Sequence, residues 1–380
     1  MKKTISILLA LVLMVFAFGC TAAEPVAEPA PDATAPDAAE VATEAVEEAA
    51  EATGHPLAGK AVDENGEPLV LGYLSCDVMN DWTSTCQGIS KTLWEAAGGE
   101  VICYVSNYDL ALEVSYMNDL IELGVDAIIY QCSDSYAGAP AVEAAKKAGI
   151  PIITVDMDVE GADSDCYVHI DQPGMGMTCG QWIIDNYSAE NPAKVLEIAG
   201  LVNHSAAVQR GGGFHEAVDS IDYIDVVNTV DTGWDPDVAL NGILDAFQAN
   251  PEINVIYSHS DSMMPGIIEG LRQIGKLVPV GEEGHIPVLS IDCNFTGIQA
   301  VRDGYVDLIC EHSPQLHATI CVNVALAAIY GQEIPADITI TSPVVDATTV
   351  ESPDRWANNV AGEFASWPYV QQDYFPIPTR

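Results

Sequence analysis

Hydrophobic and polar positions follow one repeating pattern from about residue 69 onward. A short apolar run is followed by a longer segment with helical spacing, as in 70–75 before 83–97 and 101–106 before 110–123. Continuous apolar strands separated by helices are typical of parallel sheets that helices cover on both faces. The pattern therefore predicts an α/β protein.

The pattern completes one set of elements and then begins again. Strand-like runs at 127–132, 151–156 and 167–171 close the first set, and a run at 195–199 opens the second. A chain of 380 residues is also too long for one ordinary core. Two successive sets therefore predict two doubly wound parallel-sheet lobes.

The two lobes are expected to be joined by a three-segment hinge, with crossings near Asp171, His312 and Thr341. Ligands of such sheets bind beyond the carboxyl ends of the strands, so the site is expected in the cleft between the lobes. The resulting division of the chain is a signal peptide at 1–19, a tether at 20–68, lobe one at 69–171 with 313–340, and lobe two at 172–312 with 341–380, which includes a C-terminal tail.

The N-terminus has the form of an export signal. Lys2 and Lys3 precede an apolar run, residues 5–18, that is too short for a comfortable membrane span and is typical of a secretory signal peptide. The run ends at Cys20 in a sequence that resembles a bacterial lipobox, which implies lipidation of Cys20. Ala17 stands where Leu is usual, so cleavage by an ordinary signal peptidase is the alternative. Either route predicts an extracytoplasmic protein, and lipidation would anchor it to the membrane at the cell surface or in the periplasm.

Composition and charge narrow the function classes further. Residues 21–54 are mostly Ala, Glu, Pro, Asp and Thr without Lys or Arg, and such a segment buries too little apolar surface to order, which predicts a disordered acidic tether. The formal net charge of −43 argues against nucleic acid as a partner. The nine cysteines other than Cys20 contain no C-x-x-C pair and are odd in number, so no disulfide is predicted.

Polar and aromatic side chains follow several of the predicted strands. Carboxylates, amides and aromatic rings at such positions suit a neutral polyhydroxy ligand, whose hydroxyls bond to charged groups and whose C–H faces stack on rings. For each residue alone, the alternative is a helix cap or a turn. The strand-end residues are Asn80, Trp82, Gln131, Ser133, Asp134, Asp156, Ser260, Asp261 and Asp292.

A series of motifs, in this order, resembles the ribose/galactose-type periplasmic binding proteins, the pentose and hexose branch of the type I fold. The resemblance extends from about Leu69 to Ile340, and its most specific part is Ser205-Ala206-Ala207 followed by Arg210-Gly211 and Gly213-Phe214. The other motifs are Asn80-Asp81-Trp82, Gly124-Val125-Asp126-Ala127-Ile128-Ile129, Ser133-Asp134-Ser135, Ala148-Gly149-Ile150-Pro151-Ile152, Val155-Asp156, His169-Ile170-Asp171, Ser258-His259-Ser260-Asp261-Ser262-Met263 and Ser290-Ile291-Asp292.

The resemblance implies a solute-binding lipoprotein that captures a small sugar or polyol and delivers it to the permease of an ABC importer, without cofactor or catalysis. A chemoreceptor is a further candidate partner. In the implied site Asp156 and Asp292 accept hydroxyl protons, Arg210 donates to a ring or carbonyl oxygen, and Trp82 and Trp234 sandwich the sugar. The implied ligand shell is Asn80, Trp82, Gln131, Asp156, Arg210, Trp234, Ser260, Asp292 and His312.

The chain departs from the family pattern next to and within this shell. Met157 replaces the Arg of the family's Asp-Arg pair, and Ser260 and His312 stand where Asn and Gln are common. The ligand is therefore not expected to be held as ribose is held. A hexose, a polyol, a cyclitol and a furanose-type signalling sugar all remain open.

Three other function classes fit the sequence less well. An enzyme is disfavoured because the chain has no G-x-S-x-G elbow, no Walker loop and no H-E-x-x-H motif. A lac-repressor-type regulator shares the fold, but the export signal and the missing basic helix-turn-helix exclude it. A metal-binding receptor of the same fold is the main alternative, although typical local ligand spacing is absent. Its candidate ligands are His259, Asp261, Asp292, Cys293, Glu311 and His312.

Overall fold

A computed structural model describes residues 55–157, 159–202, 204–359 and 374–379. The predicted signal peptide, Cys20 and residues 21–54 of the predicted tether lie outside the described residues. Among the described helices, none combines the length and the apolar character that crossing a bilayer requires.

Strands and helices alternate along the described chain. The strands are β1 (Val70–Ser75), β2 (Glu100–Val105), β3 (Ala127–Tyr130), β4 (Ile152–Val155), β5 (Cys166–Ile170), β6 (Ala193–Ala199), β7 (Ile224–Asp231), β8 (Val255–Ser258), β9 (Val288–Asp292), β10 (Leu308–Glu311), β11 (Asp337–Ile340) and β12 (Val344–Val345). The helices are α1 (Asp81–Ala96), α2 (Leu110–Leu123), α3 (Ala139–Ala148), α4 (Gln172–Asn186), α5 (Ser205–Val218), α6 (Pro236–Ala249), α7 (Met264–Gln273), α8 (Phe295–Arg302), α9 (Pro314–Ile329) and α10 (Trp356–Asn359), with a 3-10 turn at Asp261–Met263.

The strands form two six-stranded sheets, which define lobe one and lobe two. The first sheet has the order β11-β5-β4-β3-β1-β2, and the second has the order β12-β10-β9-β8-β6-β7. All neighbouring strands are parallel except β10 and β12. Strands β3 and β8 are buried at every position, as expected where helices cover both faces. The predicted fold class, two doubly wound α/β lobes, is confirmed.

The chain passes between the lobes after β5, β10 and β11. Asp171 separates β5 from α4, which packs on α5 in lobe two. His312 and Ser313 separate β10 from α9, which packs on α1 in lobe one. Residues 341–343 link β11 to β12. Because these links leave strand ends, they lie beside the cleft in which the polar strand-end residues meet.

The folded part begins earlier in the chain than the sequence predicted. Residues 55–68, assigned to the tether, pack on lobe one, where Leu57 and Ala61 are fully buried. The Ala61 backbone N–H donates to the carbonyl of Ala97 at 2.9 Å. Buried apolar side chains and a backbone hydrogen bond to the end of α1 hold this segment, although its composition resembles that of a linker.

The end of the C-terminal tail also differs from the predicted division. Residues 374–379 were assigned to lobe two together with the rest of the tail. Asn323 on α9 of lobe one donates from Nδ2 to the carbonyl of Phe375 at 3.2 Å, and Phe375 packs against the buried core. The tail therefore contacts lobe one here, and it contacts lobe two where the Trp356 N–H donates to Glu311 Oε1 at 2.9 Å.

Candidate functional site

The candidate site is a cavity between the carboxyl ends of the two sheets, as the sheet topology requires. Its wall contains every residue of the predicted ligand shell: Asn80, Trp82, Gln131, Asp156, Arg210, Trp234, Ser260, Asp292 and His312. These positions are far apart in the chain and come from both lobes. The structure therefore brings the predicted residues together, and their binding of a ligand stays a prediction.

The cavity is nearly filled by the side chains that line it. It encloses about 50 Å³, and it lies beside a groove of about 660 Å³ that shares Asp77, Asn80, Tyr108 and Trp234 with it. A space of 50 Å³ admits only a few water molecules. A sugar-sized ligand therefore requires the lobes to separate, or the polar groups to rearrange, before it enters.

Two glycines allow α4 and α5 to approach closely and so place Arg210. A Cβ atom on Gly176 would lie 2.0 Å from the carbonyl oxygen of Arg210, and one on Gly213 would lie 2.0 Å from the carbonyl oxygen of Pro173. Any side chain at these positions would push the helix backbones apart. Gly212 lies beside Gly213 but has open space around its Cβ position.

Arg210 is buried and bonded to protein groups on several sides. Its Nε donates to Gln172 Oε1 at 2.7 Å, and its Nη1 donates to the carbonyl of His259 at 2.6 Å. Its Nη2 lies 3.0 Å from His312 Nδ1 and 3.2 Å from Asp292 Oδ1. A bound ligand therefore has to replace one of these partners or share the guanidinium with them.

His312 lies in the crossing segment between a carboxylate from each lobe. Its Nε2 is 3.1 Å from Asp156 Oδ1 of lobe one, and its Nδ1 is 3.3 Å from Asp292 Oδ1 of lobe two. The Trp82 ring stacks on the imidazole with centroids 4.5 Å apart, and the Trp82 indole N–H donates to the His312 carbonyl at 3.0 Å. The His312 imidazole thus covers one face of the Trp82 ring. In the predicted sandwich with Trp234, a sugar can contact only the other face or an edge of Trp82.

Opposite charges in this cluster stabilise one another. Burial raises the pKa of Asp156, but His312 and then Arg210 outweigh it and hold that pKa well below its usual range. Burial likewise raises the pKa of Asp292, while Arg210 and His312 lower it on balance. Burial lowers the pKa of His312, and the attraction of Asp156 raises it on balance. The cavity therefore presents ionised acceptors beside charged donors, which suits hydroxyl groups because they donate and accept.

Three of the predicted site residues have a left-handed backbone conformation. The φ angles are 66° at Asp156, 68° at Trp234 and 106° at Asp292. Non-glycine residues rarely adopt this region, and such strain concentrates at functional sites. At Trp234 the backbone N–H donates to Thr232 Oγ1 at 3.2 Å, and the ring meets His204 edge-on with centroids 5.5 Å apart. Local strain thus accompanies the carboxylates and the aromatic ring of the cavity.

Two predicted residues cap a helix and line the cavity at the same time. Asn80 Oδ1 accepts the Trp82 N–H at 2.7 Å at the start of α1, while its Nδ2 faces Ser262 Oγ of the other lobe at 3.5 Å. Ser260 Oγ accepts the Ser262 N–H at 3.0 Å and donates to a carboxylate oxygen of Asp292. The cap interpretation and the site interpretation are therefore compatible at these positions.

The cavity wall also contains residues that the sequence did not predict. The Tyr108 O–H donates to Asp77 Oδ2 at 2.7 Å, and Asp77 Oδ1 accepts the Asn80 N–H at 3.0 Å. Asp77 follows β1 closely, so the strand-end rule that selected Asn80 could have found it. The added wall residues are Cys76, Asp77, Thr83, Tyr108, His204 and Ala206.

His317, on the first turns of α9, lies behind the cavity wall and was also missed. Its ring meets Trp82 edge-on, with centroids 5.1 Å apart, and His312 in the same way at 4.9 Å. Its Nδ1 lies 2.8 Å from the carbonyl oxygen of Ser313. Burial, and next the charge of His312, lower its pKa to about 3. The feature of the sequence that could have pointed to His317 is its position five residues after His312, a predicted site residue.

The residues of the metal-binding alternative do not share one centre. Glu311 accepts a backbone N–H at 2.9 Å, Asp261 accepts another at 3.1 Å, and His259 Nε2 lies 2.9 Å from Glu197 Oε1. These groups therefore have separate structural partners. In the described part of the chain, the three metal-capable side chains whose ligand atoms all lie within 4.8 Å of one another are Asp156, His312 and His317.

Met157, where the family pattern has Arg, is not part of the cavity wall. It is buried in the hydrophobic core of lobe one. The nine cysteines of the described ranges are free thiols. Met157 therefore adds no donor to the site, whereas the Cys76 thiol lines the cavity with its Sγ 3.8 Å from Asp77 Oδ2.

Residues 71–333 match the family described as periplasmic binding protein domain. The chain belongs to the periplasmic binding protein family. This membership confirms the family inferred from the motifs. A ribose import binding protein of Bacillus subtilis is 28% identical over 282 residues, which are 74% of this chain and 87% of that protein. A galactofuranose-binding protein of Escherichia coli is 24% identical over 255 residues, 66% of this chain and 79% of that one.

Solved structures share the two-lobed fold of this periplasmic binding protein. An ABC transporter periplasmic solute binding protein of Actinobacillus succinogenes with bound D-allose has a TM-score of 0.68 at 26% identity, covering 74% of this chain and 99% of that one. A Mycobacterium smegmatis protein in complex with β-D-fucofuranose has a TM-score of 0.70 at 23% identity, covering 76% of this chain and 96% of that one. The second likeness, at its lower identity, shows the fold alone.

Proposed function

We propose that this protein captures a small neutral sugar or polyol between its two lobes and delivers it to an ABC importer without chemical change. The observation that carries the proposal is one cavity lined by Asp156 from lobe one and by Asp292 and Arg210 from lobe two. A ligand bonded to both lobes binds the closed arrangement better than the open one and so shifts the protein toward closure. That shift is the signal that a transport partner can read.

The relatives support this ligand class. Their names and the liganded structures include ribose, galactofuranose, D-allose and β-D-fucofuranose. These are pentoses or hexoses, and two of the four are named as furanoses. Ser260 and His312 differ from the family pattern, which supports a ligand other than ribose, with hexoses, polyols, cyclitols and furanose-type signalling sugars as candidates.

The site of action in this proposal is outside the cytoplasm, with Cys20 as a lipidated anchor. The acidic segment after Cys20 then acts as a tether that lets the folded lobes reach above the membrane. The proposed partners are the ABC permease, the membrane through the lipid and, as a further candidate, a chemoreceptor. Membership of a periplasmic binding protein family supports the compartment, and the lipobox resemblance supports the anchor.

A panel of monosaccharides and polyols, tested by thermal shift on protein unfolded and refolded to strip bound ligand, tests the proposal. Asp156→Ala and Arg210→Ala should each weaken binding of the responding ligand roughly ten- to a hundredfold, because a hydrogen bond to a charged group contributes about 1.5–3 kcal/mol. Asp222→Asn, at the opposite end of β7 from the cleft, is the control. If both cleft variants bind like wild type, the site is misplaced. If no sugar or polyol stabilises the protein, the ligand class is wrong.

A further inference from the structure

We propose that Asp156, His312 and His317 form a binding site for a divalent transition-metal ion at the wall of the cleft, with Zn²⁺ as the best-suited ion. One ligand atom from each residue lies within 4.8 Å of the other two, and the three residues are 8%, 2% and 0% exposed. Tetrahedral zinc with bonds of about 2.0–2.1 Å holds its ligand atoms roughly 3.4 Å apart. Small side-chain movements therefore bring this set to coordination distance.

His317 has a tautomer that leaves its inner nitrogen ready to bind a metal. Its Nδ1 lies 2.8 Å from the carbonyl oxygen of Ser313. A carbonyl oxygen only accepts hydrogen bonds, so Nδ1 carries the hydrogen and Nε2 presents a lone pair. Within the described residues, this fully buried Nε2 has no hydrogen-bond partner. A buried polar atom without a partner destabilises the fold, and a coordinated ion removes that cost.

His312 has a matching outer partner. Its Nδ1 is 3.3 Å from Asp292 Oδ1, while its Nε2 points to the Asp156 side at 3.1 Å from Oδ1. Metal-binding histidines commonly donate their other N–H to a carboxylate or a backbone carbonyl, and here each imidazole has one such acceptor. Arg210 Nη2 also lies near His312 Nδ1, and it has Asp292 Oδ1 at 3.2 Å as its own acceptor.

The composition of the cluster favours a metal ion over a water molecule. Two imidazole nitrogens and one carboxylate match a common zinc ligand set that keeps one coordination position open. Asp156 and Asp292 carry two negative charges beside the permanent positive charge of Arg210, and a metal ion that takes the place of a proton on His312 completes the local balance. Asp156 and His312 line the cavity, whereas His317 lies behind it, so the open position faces the cavity. A single water molecule would satisfy His317 Nε2 but leave the charges unchanged.

The test is a titration of the full chain, purified in detergent and dialysed against a chelator, with Zn²⁺ by calorimetry and Co²⁺ by visible absorption. Wild type should bind one equivalent, with the absorption of tetrahedral Co²⁺. His317→Phe keeps a ring against Trp82 but removes both nitrogens, and it should weaken binding by at least about a hundredfold. His285→Phe is the matched control, because the His285 nitrogens bond to the Val278 carbonyl at 2.7 Å and to Asp307 Oδ2 at 2.9 Å, away from the cleft.

A measurement on wild type covers the case in which His317→Phe fails to fold. Imidazole ¹⁵N spectra should show Zn²⁺ shifting the Nε2 signals of both His312 and His317 while the His285 signals stay in place. The proposal is overturned if wild type shows no saturable site, if His317→Phe binds Zn²⁺ as wild type does, or if Zn²⁺ leaves either Nε2 signal unchanged. The metal titration contains no sugar and the sugar panel is repeated on chelated protein, so either proposal can fail without the other.

Discussion

Replacing Gly213 with alanine tests whether the close contact of α4 and α5 places Arg210. The new Cβ would lie 2.0 Å from the carbonyl oxygen of Pro173, and a helix backbone cannot step aside as the end of a side chain can. Overpacking of this kind costs about 1–3 kcal/mol. Gly212→Ala is the control, because its Cβ meets nothing within 4 Å and alanine is favoured over glycine in a helix by about 1 kcal/mol.

Two identical substitutions at adjacent positions should therefore change stability in opposite directions. Urea unfolding followed by circular dichroism should show Gly212→Ala more stable than wild type and Gly213→Ala less stable, a separation of about 1–3 kcal/mol, because both variants gain helix propensity and only Gly213→Ala is overpacked. Gly176→Ala should behave like Gly213→Ala, because its Cβ would lie 2.0 Å from the Arg210 carbonyl oxygen. Equal stability of the Gly212 and Gly213 variants would refute the described helix contact. If Gly213→Ala is less stable but binds sugar normally, the helix contact stabilises the fold but is not needed to place Arg210.

Three further outcomes are expected. Burial raises the pKa of Glu197, but its hydrogen bond with His259 lowers it on balance to about 2 from 4.5. Glu197 therefore stabilises the fold above pH 4.5 and loses this contribution as pH falls toward 2. In urea unfolding Glu197→Gln should be less stable than wild type near neutral pH but not near pH 2. A difference in unfolding free energy that persists near pH 2 would contradict the lowered pKa of Glu197. Trp356→Phe removes the indole N–H that donates to the Asp292 carbonyl at 2.7 Å and makes a fully buried side chain smaller. It should therefore cost at least about 0.5–1.5 kcal/mol of unfolding free energy, and an unchanged denaturation midpoint would show that this bond contributes nothing. Cys20→Ser should move the protein to the soluble fraction with unchanged ligand affinity, and membrane association that survives salt washing would count against lipidation.

The type and order of the elements were readable from the sequence because they depend on local pattern. A run such as 127–130 is apolar at every position, and in the structure it is the fully buried strand β3. The predicted run at 110–123 is the helix α2 with the same bounds. Parallel strands bring their carboxyl ends to one edge of the sheet. Residues at strand ends, such as Asp156 and Asp292, therefore line the same cavity.

The pairing of side chains across the cleft was decided by the tertiary structure alone. Arg210 is bonded to Gln172 and lies beside His312, and these partners are far away in the chain. No periodicity encodes such distances, because they depend on how two helices meet at Gly176 and Gly213.

The same reason explains the residues that the sequence did not identify. His317 is an ordinary helix residue by local pattern. Only the packing of α9 behind the cleft brings it close to Asp156 and leaves its Nε2 without a partner among the described residues. Leu57 was assigned to a tether because its neighbours are sparse in apolar residues, yet it is fully buried on lobe one. Local pattern thus determined which elements form and which strand ends face the cleft. Side-chain contacts, burial and charge pairing were determined by residues distant in sequence, because the free energy of each contact depends on both partners being in place.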